Sequence, residues 1–470
     1  MPPIQSYAAV MMLAALAMVA GCARQVYAPA PLDQASEGQD FQRDSLASAA
    51  AEMAAAGGRR NADSDAWTTG ELGFLAAIRS PERMRATEQV GLDELRKALA
   101  GYGPPIEIGL TTQRNSDIDP GDSSRWSVGP SFEFVWSPAD KGRIRVALAD
   151  TRIIAARADE LNSAWRARQR AVTSAVRLMS ESRLVDLQQT RIASLEETVA
   201  SLAALVDAGF SAPLEWQMLK LELVTARLDA IDQLRAMTEL TAELAVALKL
   251  PMQTLSGLVI GDPEFFDAAS LQQQFAYRDL RSHALRSHPR VLTALAEYER
   301  SEKALELAIA AQYPDLRLNP AYLFDQGDNI WSLVGSIVVP SSARFHAAVA
   351  AAEQARDLAR THFEGEQRTL IAELEAAYAA VSASASAVVE IRKILVAAEQ
   401  ERQSLEDIPQ IEAGDELALR RAKLHVLKVR ERLIAAEQHW ALDFTQLESV
   451  AVITREKTGF ETYLSGLGRQ

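Results

Sequence analysis

The sequence is short of cysteine and of aromatic residues. Cys22 is the single cysteine among 470 residues, and Phe, Trp and Tyr together make up 6%. One cysteine excludes an intramolecular disulfide. Basic residues are outnumbered by acidic ones, 49 to 63, which gives a formal net charge of −14. Because no basic patch or stripe stands out, the composition argues against nucleic acid as a partner.

Motifs of catalysis and metal binding are also missing. The sequence contains no phosphate-binding glycine loop, no HExxH and no CxxC. Its six histidines are scattered and lack the spacing of metal ligands, so each is predicted to be a surface or interface residue. Its many carboxylates lie in segments rich in charge, which is typical of solvated helix faces. The sequence therefore predicts no enzyme, no metal and no cofactor.

The N-terminus has an apolar run of only 13 residues, from Ala8 to Ala20. A run this short predicts a signal-peptide core, because a membrane-spanning helix needs about 20 residues. The following Gly21-Cys22 completes a segment that resembles a bacterial lipobox. It predicts a signal peptide over residues 1–21 and acylation of Cys22, with more than one acyl chain for stable anchoring. The alternative is an ordinary signal peptide followed by an incidental cysteine.

Glycine and proline are absent from two long stretches. None occurs in the 66 residues from 143 to 208, or in the 37 residues from 214 to 250. Apolar residues spaced three and four apart predict a coiled-coil seam. On the outgoing arm these are Ile192, Leu195, Val199, Leu202 and Val206, and on the returning arm Leu214, Met218, Leu221, Val224, Leu228 and Ile231. A helix of 66 residues would reach about 100 Å.

Landmarks recur 205 residues apart, which predicts an internal duplication. Trp126-Ser127-Val128 returns as Trp331-Ser332-Leu333, and Gly209 returns as Gly414. The second copy is less regular, because Gly365 is predicted to interrupt its long helix and Pro409 to kink or end it. The predicted organisation comprises an extended or loosely ordered arm, two repeats and a tail, over residues 22–69, 70–260, 261–458 and 459–470.

Four segments alternate between apolar and polar residues, as β-strands do. They cover residues 106–113, 126–136, 316–324 and 331–339. Their lengths and aromatic ends fit transmembrane β-strands. Four strands cannot close a barrel alone, since their edges would lie unpaired in lipid, so several chains would have to supply strands to one barrel. The alternative is a soluble hairpin packed on the helices.

The duplicated order of helix, strand pair, long helix, glycine turn and helix resembles the TolC-type outer membrane factors. The resemblance runs from about residue 70 to about 455 and includes DAGFSAPLEWQMLKLELVTARLDA at the first turn. It implies a mainly α fold with a small membrane β-barrel, in which three chains each give four strands to one 12-stranded barrel. The long antiparallel coiled-coil helices would form an α-barrel across the periplasm.

The same resemblance implies a role and a set of partners. The chain would be the outer membrane channel of a tripartite efflux or secretion system, a passive exit duct that changes no substrate. It would lie in the cell outer membrane as a lipid-anchored homotrimer and extend into the periplasm. A periplasmic adaptor would bind its hairpin tips and connect it to an inner-membrane pump. The sequence does not specify the cargo.

The two hairpin tips are the predicted docking sites. Gly209 and Gly414 are placed where a positive φ would close each turn, Ser211 is predicted to cap the returning helix, and Pro213 suits its first turn. The predicted adaptor-docking residues are Gly209, Phe210, Ser211, Gly414, Asp415 and Glu416. The alternative is a pair of good turns without a partner.

A candidate gate follows from a departure at the second tip. The family commonly has an acidic residue six positions after the tip glycine; Glu215 fits, whereas the second copy has Arg420. We hypothesise that Glu215 and Arg420 form an ion pair at the closed end. An exposed pair contributes only about 0–1 kcal/mol, so it would be a soft latch. The alternative is that both are solvated charges, and Arg420 weakens any expectation that this mouth selects cations.

A rival from another class is a lipid-anchored periplasmic coiled-coil scaffold or adaptor without a pore. An adaptor is expected to have one hairpin inserted between β-rich domains. The duplication of both hairpins and strand pairs favours the channel.

Overall fold

A computed structural model describes residues 28–30, 41, 44–60, 66–114, 116, 126–325, 328–339, 341–408, 413–456 and 458–467. The chain divides into two compact units, Met1–Asp44 and Ser45–Gln470, and the elements named below all lie in the second. The predicted signal peptide and the lipidation site Cys22 lie outside the described residues. In the ranges given, none of the helices combines the length and the apolar character needed to cross a membrane.

The second unit contains eleven α-helices and four strands in its described part. In chain order they are α1 Leu46–Ala55, α2 Thr69–Arg79, α3 Pro81–Gly101, β1 Glu107–Arg114, β2 Trp126–Trp136, α4 Lys141–Asp207, α5 Pro213–Leu248, α6 Ala268–Gln274, α7 Tyr277–Ser287, α8 Pro289–Ala310, β3 Leu316–Asp325, β4 Asp328–Ile337, α9 Ser342–Glu406, α10 Ala413–Ala451 and α11 Phe460–Leu467. The predicted order of helix, strand pair, long helix and returning helix occurs twice.

The four strands form one antiparallel sheet in the order β1-β2-β3-β4. The strand pair of each repeat is a hairpin, and the two hairpins join through β2 and β3, where Val128 faces Phe324 and Trp136 faces Leu316. The observed strands match the predicted segments to within a residue or two, except that β4 begins three residues earlier, at Asp328. The pairing of the two strands extends to Asp325 opposite Asp328, which places the start of β4 at Asp328.

Two rows of helices extend from the sheet. Nearer the strands, α3 packs on α4, α4 on α8, and α8 on α9. Towards the tips, α5 packs on α4, α4 on α10, and α10 on α9. The 67-residue α4 and the 65-residue α9 therefore run through both rows. At about 1.5 Å per residue, each reaches about 100 Å.

The first hairpin packs along part of the predicted seam. Leu195 and Leu202 are fully buried, and Ile192 and Val199 pack in the same cluster as Leu223 and Ala226 of α5. The apolar stripe predicted on the returning helix is instead exposed, so the prediction was wrong for that arm. The exposed residues are Leu214, Met218, Leu221, Val224, Leu228 and Ile231.

Gly365 does not interrupt the second long helix, contrary to the prediction. α9 is continuous from Ser342 to Glu406. A glycine inside a helix costs only about 1 kcal/mol relative to alanine, which a helix of this length tolerates. The helix ends at Glu406, three residues before Pro409, in agreement with the predicted effect of that proline.

The two ends of the second unit pack together against α2 and α4. α1 lies in the predicted arm and buries Ala49 and Met53, so this part of the arm is not loosely ordered. α11 lies in the predicted tail and buries Phe460 against Phe74 and Trp165. Glu456, just before it, accepts hydrogen bonds from the backbone N–H of Gly70 and the hydroxyl of Thr69 at the start of α2.

His288 is buried, contrary to the prediction that each histidine lies at a surface or interface. It is the N-cap of α8, where its Nδ1 accepts from the backbone N–H of Arg290 at 3.2 Å. Burial, with the nearby positive charge of Arg290, lowers the pKa of His288 to about 4 despite the opposing effect of Glu373. The neutral ring is therefore the form that caps the helix.

This buried histidine predicts a pH dependence of stability. Below the ordinary pKa of 6.5, the unfolded chain takes up a proton that the folded chain does not, so stability falls from about pH 6.5 towards about pH 4. The loss amounts to roughly 3 kcal/mol. His288→Asn keeps a cap and removes the titrating ring. Denaturant unfolding at pH 7 and pH 4.5 should show a smaller difference in this variant, whereas substitution of the exposed His439 with Asn should leave the difference unchanged.

Candidate functional site

The first hairpin tip closes with a glycine turn, as predicted. Gly209 has a φ of +79°. The backbone N–H of Phe210 donates to the Leu205 carbonyl at 2.8 Å, and that of Gly209 donates to the Val206 carbonyl at 3.0 Å. This is the hydrogen-bond pattern of a Schellman motif, in which glycine avoids the steric penalty of the left-handed conformation. The Phe210 side chain is 82% exposed at the turn.

Ser211 does not cap the returning helix. α5 begins at Pro213, so its N-cap is Ala212, which has no side chain able to accept a hydrogen bond. Pro213 occupies the first helical position, as predicted. The Ser211 hydroxyl lies one residue too early for the cap and instead approaches the Glu215 carboxylate at 3.5 Å. Both polar side chains therefore face the same side of the turn.

The second tip is built differently. α10 begins at Ala413, so Gly414 lies in its first helical turn and does not occupy a position like that of Gly209. The prediction of a closing glycine was therefore wrong for this copy. The preceding residues 409–412 and the Asp415 side chain lie outside the described part of the chain. Glu416 is exposed, one turn before Arg420.

The charges of the candidate gate pair with other partners within the chain. Glu215 forms an ion pair with Arg421. Arg420 pairs with Glu197 of α4 at 3.2 Å and with Glu416 of its own helix at 2.8 Å. Adjacent residues point about 100° apart around a helix, so Arg421 faces α5 while Arg420 faces α4. The intrachain structure therefore does not contain the hypothesised Glu215–Arg420 pair.

A groove of about 640 Å³ lies near the two hairpin tips, between α4 and α5 of the first hairpin and α10 of the second. It is mainly apolar, and the Glu215–Arg421 pair lies at its border. Its apolar lining consists of Leu202, Met218, Leu219, Leu221, Leu417 and Leu424. The groove offers an apolar surface next to paired charges.

A row of ion pairs joins the two hairpins along α4 and α10. It runs from the buried Arg168–Glu448 pair, in the middle third of α4, to the Glu197–Arg420 pair near the tip. The Glu197 side chain of this last pair is 71% exposed. Arg183–Glu437 at 3.4 Å and Arg191–Glu431 at 3.7 Å lie between them. Three of the four pairs place the arginine on α4, and the pair nearest the tip reverses this.

This row was not predicted from the sequence, because nothing in the spacing of single charges indicates which helix a side chain will face. Two further pairs lie within the hairpins and not between them. Glu196 pairs with Arg227 across the first hairpin, and Glu399 pairs with Arg430 across the second. In both pairs the glutamate precedes the arginine by 31 residues.

The sheet presents an apolar face to its surroundings. Trp126, Phe132, Phe134 and Trp136 of β2 share one face and are exposed. The pairing register places Leu110 of β1 on that same face. Residues at sheet edges β1 and β4 continue the exposed apolar surface, among them Ile108, Trp331, Leu333 and Ile337. A contiguous exposed apolar surface of this kind is typical of a contact with a membrane or with another protein.

The described residues contain no group of three or more His, Cys, Asp or Glu side chains placed to bind a metal ion. His362 is exposed and lies 3.3 Å from Glu297 and 3.9 Å from Glu366. His283 is also exposed and contacts the carbonyl of Val452.

A scan against protein-family models and a search of curated proteins both give no match. Solved structures do match. The outer membrane protein VceC of Vibrio cholerae is 14% identical, with a TM-score of 0.64 over 83% of this chain and 97% of that chain. A membrane protein from Pseudomonas aeruginosa is 15% identical, with a TM-score of 0.66 over 92% and 97%.

The MtrE outer membrane channel of Neisseria gonorrhoeae, in its open state, is 16% identical, with a TM-score of 0.61 over 82% of this chain and 89% of that chain. The predicted resemblance is therefore confirmed at the level of the fold: this chain has the fold of the TolC-type outer membrane factors.

Proposed function

We propose that the chain is the outer membrane channel of a tripartite efflux or secretion system. The observation that carries this proposal is the sheet, which exposes an apolar face and stands at the end of helical hairpins about 100 Å long. An apolar outer face fits lipid, and the long helices fit a conduit that extends away from the membrane. Substrate would pass through without chemical change.

The sheet supports assembly from several copies. Its order leaves β1 and β4 as the two edge strands in the described residues. Backbone groups at an open edge cannot remain unpaired in lipid, so β1 of one copy would pair with β4 of the next. Three copies would close a 12-stranded barrel, which is within the range of bacterial outer membrane barrels.

The helical rows support the same assembly. One side of the rows ends in α3 and α5, and the other side ends in α9. Both sides expose apolar residues, including Leu95 and Leu228 on the first and Leu358 on the second. An interface between two different surfaces repeats around a ring when the rotation closes. The exposed stripe on α5 is therefore assigned to contact with a neighbouring copy.

The tips are the proposed docking site for a periplasmic adaptor, which would connect the channel to an inner-membrane pump. The exposed Phe210 and the adjoining apolar groove provide the contact surface. The six docking residues remain Gly209, Phe210, Ser211, Gly414, Asp415 and Glu416. Acylation of Cys22 would add an anchor in the outer membrane.

A conductance measurement tests the proposal. Purified protein should form pores in planar lipid bilayers. Leu228→Glu places a charge in the stripe and should abolish both the pores and trimer-sized migration in detergent, because a buried unpaired charge opposes assembly. Leu228→Met keeps the apolar contact and should preserve both.

A protein that is fully water-soluble and forms no pores would contradict the channel and favour the scaffold. If Leu228→Glu retained both trimers and pores, the assigned contact surface would be wrong.

A further inference from the structure

A buried cluster of charged residues lies where α4 of the first repeat packs on α10 of the second. Glu448 of α10 accepts hydrogen bonds from the Arg168 guanidinium of α4 at 3.2 and 3.3 Å, and its other oxygen accepts from the backbone N–H of Arg455. The three residues are between 1% and 9% exposed. Two buried guanidinium groups therefore accompany one buried carboxylate, which leaves the cluster with one uncompensated positive charge.

The Arg455 side chain lies over an aromatic face of α10. Its guanidinium carbon is 5.6 Å from the centre of the Trp440 ring and 4.9 Å from that of the Phe444 ring. Trp440, Phe444 and Glu448 follow one another at intervals of four residues, so they form one stripe along the helix. Contact with the rings stabilises the cation where it lies. It provides no oxygen or other acceptor for the N–H groups of the guanidinium.

Four buried N–H-bearing nitrogens of this cluster have no hydrogen-bond partner in the described part of the chain. They are Nε of Arg168, Nε and Nη1 of Arg455, and Nε1 of Trp440. All four are donors, because arginine and tryptophan side chains carry no acceptor. A buried donor without an acceptor is destabilising, and most strongly so on a charged group. The cluster therefore favours a ligand that accepts hydrogen bonds and carries negative charge.

The carboxylates that follow Arg455 in the sequence bind other groups. Glu456 accepts from two groups at the start of α2, and Glu461 accepts from the backbone N–H and the hydroxyl of Thr454. Among the described residues, neither of these carboxylates lies within hydrogen-bond distance of the unpartnered Arg455 nitrogens. The positive charge of Arg455 is thus not neutralised by these neighbours.

We propose that a small monovalent anion of the halide type, such as chloride, binds at Arg455 and completes the buried contact between the two repeats. A single negative charge balances the one positive charge in excess. An anion accepts from several N–H groups at once, whereas a water molecule must also donate, and the unpartnered atoms of the cluster include no acceptor. The near-complete burial of Arg455 favours a monatomic ion over a larger organic anion.

This anion site is a property of the folded chain and goes beyond the proposed channel function. The anion would hold the segment after α10 against the Trp440–Glu448 stripe, and through Glu448 it would support the contact with Arg168 of α4. An anion that binds the folded state and not the unfolded state stabilises the fold in proportion to the logarithm of its concentration. Stability is therefore expected to depend on the halide and not on ionic strength alone.

Anomalous diffraction tests the site directly. Crystals of the detergent-purified full-length protein, grown in sodium bromide, should show a bromide peak within hydrogen-bond distance of the Arg455 guanidinium. Arg455→Met removes the charge and keeps an unbranched side chain over the two rings, so this variant should fold and its crystals should lack the peak. Arg455→Lys retains a positive charge and should retain a weaker peak.

Denaturant unfolding provides a second readout that does not need crystals. Each tenfold increase in sodium chloride above the dissociation constant should raise the free energy of unfolding by about 1.4 kcal/mol. Sodium gluconate at the same ionic strength should not, because its anion is too large for a closed site. Arg455→Met should lose the difference between the two salts. Arg235→Met is the matched control, since it removes an exposed arginine from α5, and it should keep the difference.

The absence of a bromide peak at Arg455 in the unaltered protein would overturn the inference. So would equal effects of chloride and gluconate on the unaltered protein, or a chloride effect that persists in full in Arg455→Met. None of these measurements requires pore formation, so their outcome is separate from that of the conductance test.

Discussion

Replacing Glu448 with glutamine is expected to lower the free energy of unfolding by about 3–5 kcal/mol, because it leaves a buried arginine without its counter-charge. Glu448 and Arg168 are 1% and 3% exposed, and the Glu448 carboxylate accepts from the Arg168 guanidinium at 3.2 and 3.3 Å. The other Glu448 oxygen accepts from the backbone N–H of Arg455. Denaturant unfolding followed by far-ultraviolet circular dichroism measures the loss.

Two further variants separate the buried pair from a general effect of removing charge. The double variant Arg168→Met with Glu448→Gln should recover much of the stability, since neither buried charge remains unpaired. Glu239→Gln removes one partner of the exposed Arg235–Glu239 pair, whose atoms are 3.0 Å apart, and should change the free energy of unfolding by at most about 1 kcal/mol. Equal effects of Glu448→Gln and Glu239→Gln would contradict the prediction.

Replacing Phe460 with alanine should also cost about 3–5 kcal/mol of stability. The ring is 1% exposed and packs edge-on against Phe74 and Trp165, with centroid distances of 5.6 and 5.3 Å. The Arg168 guanidinium lies 5.7 Å from its centroid. The substitution would leave a cavity where the C-terminal segment joins the core of the first repeat. The measurement is again denaturant unfolding.

Phe210→Ala is the matched control for this cavity. Phe210 is exposed at the first tip, so its removal should change stability by less than about 0.5 kcal/mol. If Phe460→Ala were as mild as Phe210→Ala, the C-terminal helix would contribute little to the core. That result would contradict the packing described here.

The long elements could be predicted because their signals are local. A stretch of 66 residues without Gly or Pro is hard to fold as anything but a helix, and strict alternation with aromatic residues indicates strands. Gly209 closes its turn through a backbone conformation that depends on the residue itself. Gly414 has the same sequence landmark but lies in the first turn of α10.

The packing face of α5 could not be predicted from spacing. Two apolar stripes follow that helix, one with Leu221 and Leu228 and another with Leu223 and Ala226. The second stripe faces α4, although the first is the more hydrophobic. A period of three and four residues identifies a stripe but does not tell whether it meets the same chain or another copy. The exposed stripe is therefore the surface on which the proposed contact with a neighbouring copy depends.

The predicted ion pair between Glu215 and Arg420 was wrong for a related reason. The sequence places Arg420 at the position that corresponds to Glu215, yet its neighbour Arg421 forms the pair with Glu215. One residue of difference changes the direction of a helical side chain by about 100°. Such choices depend on how α4, α5 and α10 are rotated, which is fixed by packing across distant parts of the chain.

The number of copies in the detergent-purified protein tests the central claim most directly. Native mass spectrometry of outer membrane extracts should give a complex of three chains, because the described part of each copy contributes four strands with β1 and β4 as its two edges. A single chain that stays monomeric in detergent and in water, with its sheet shielded against its own helices, would contradict the account.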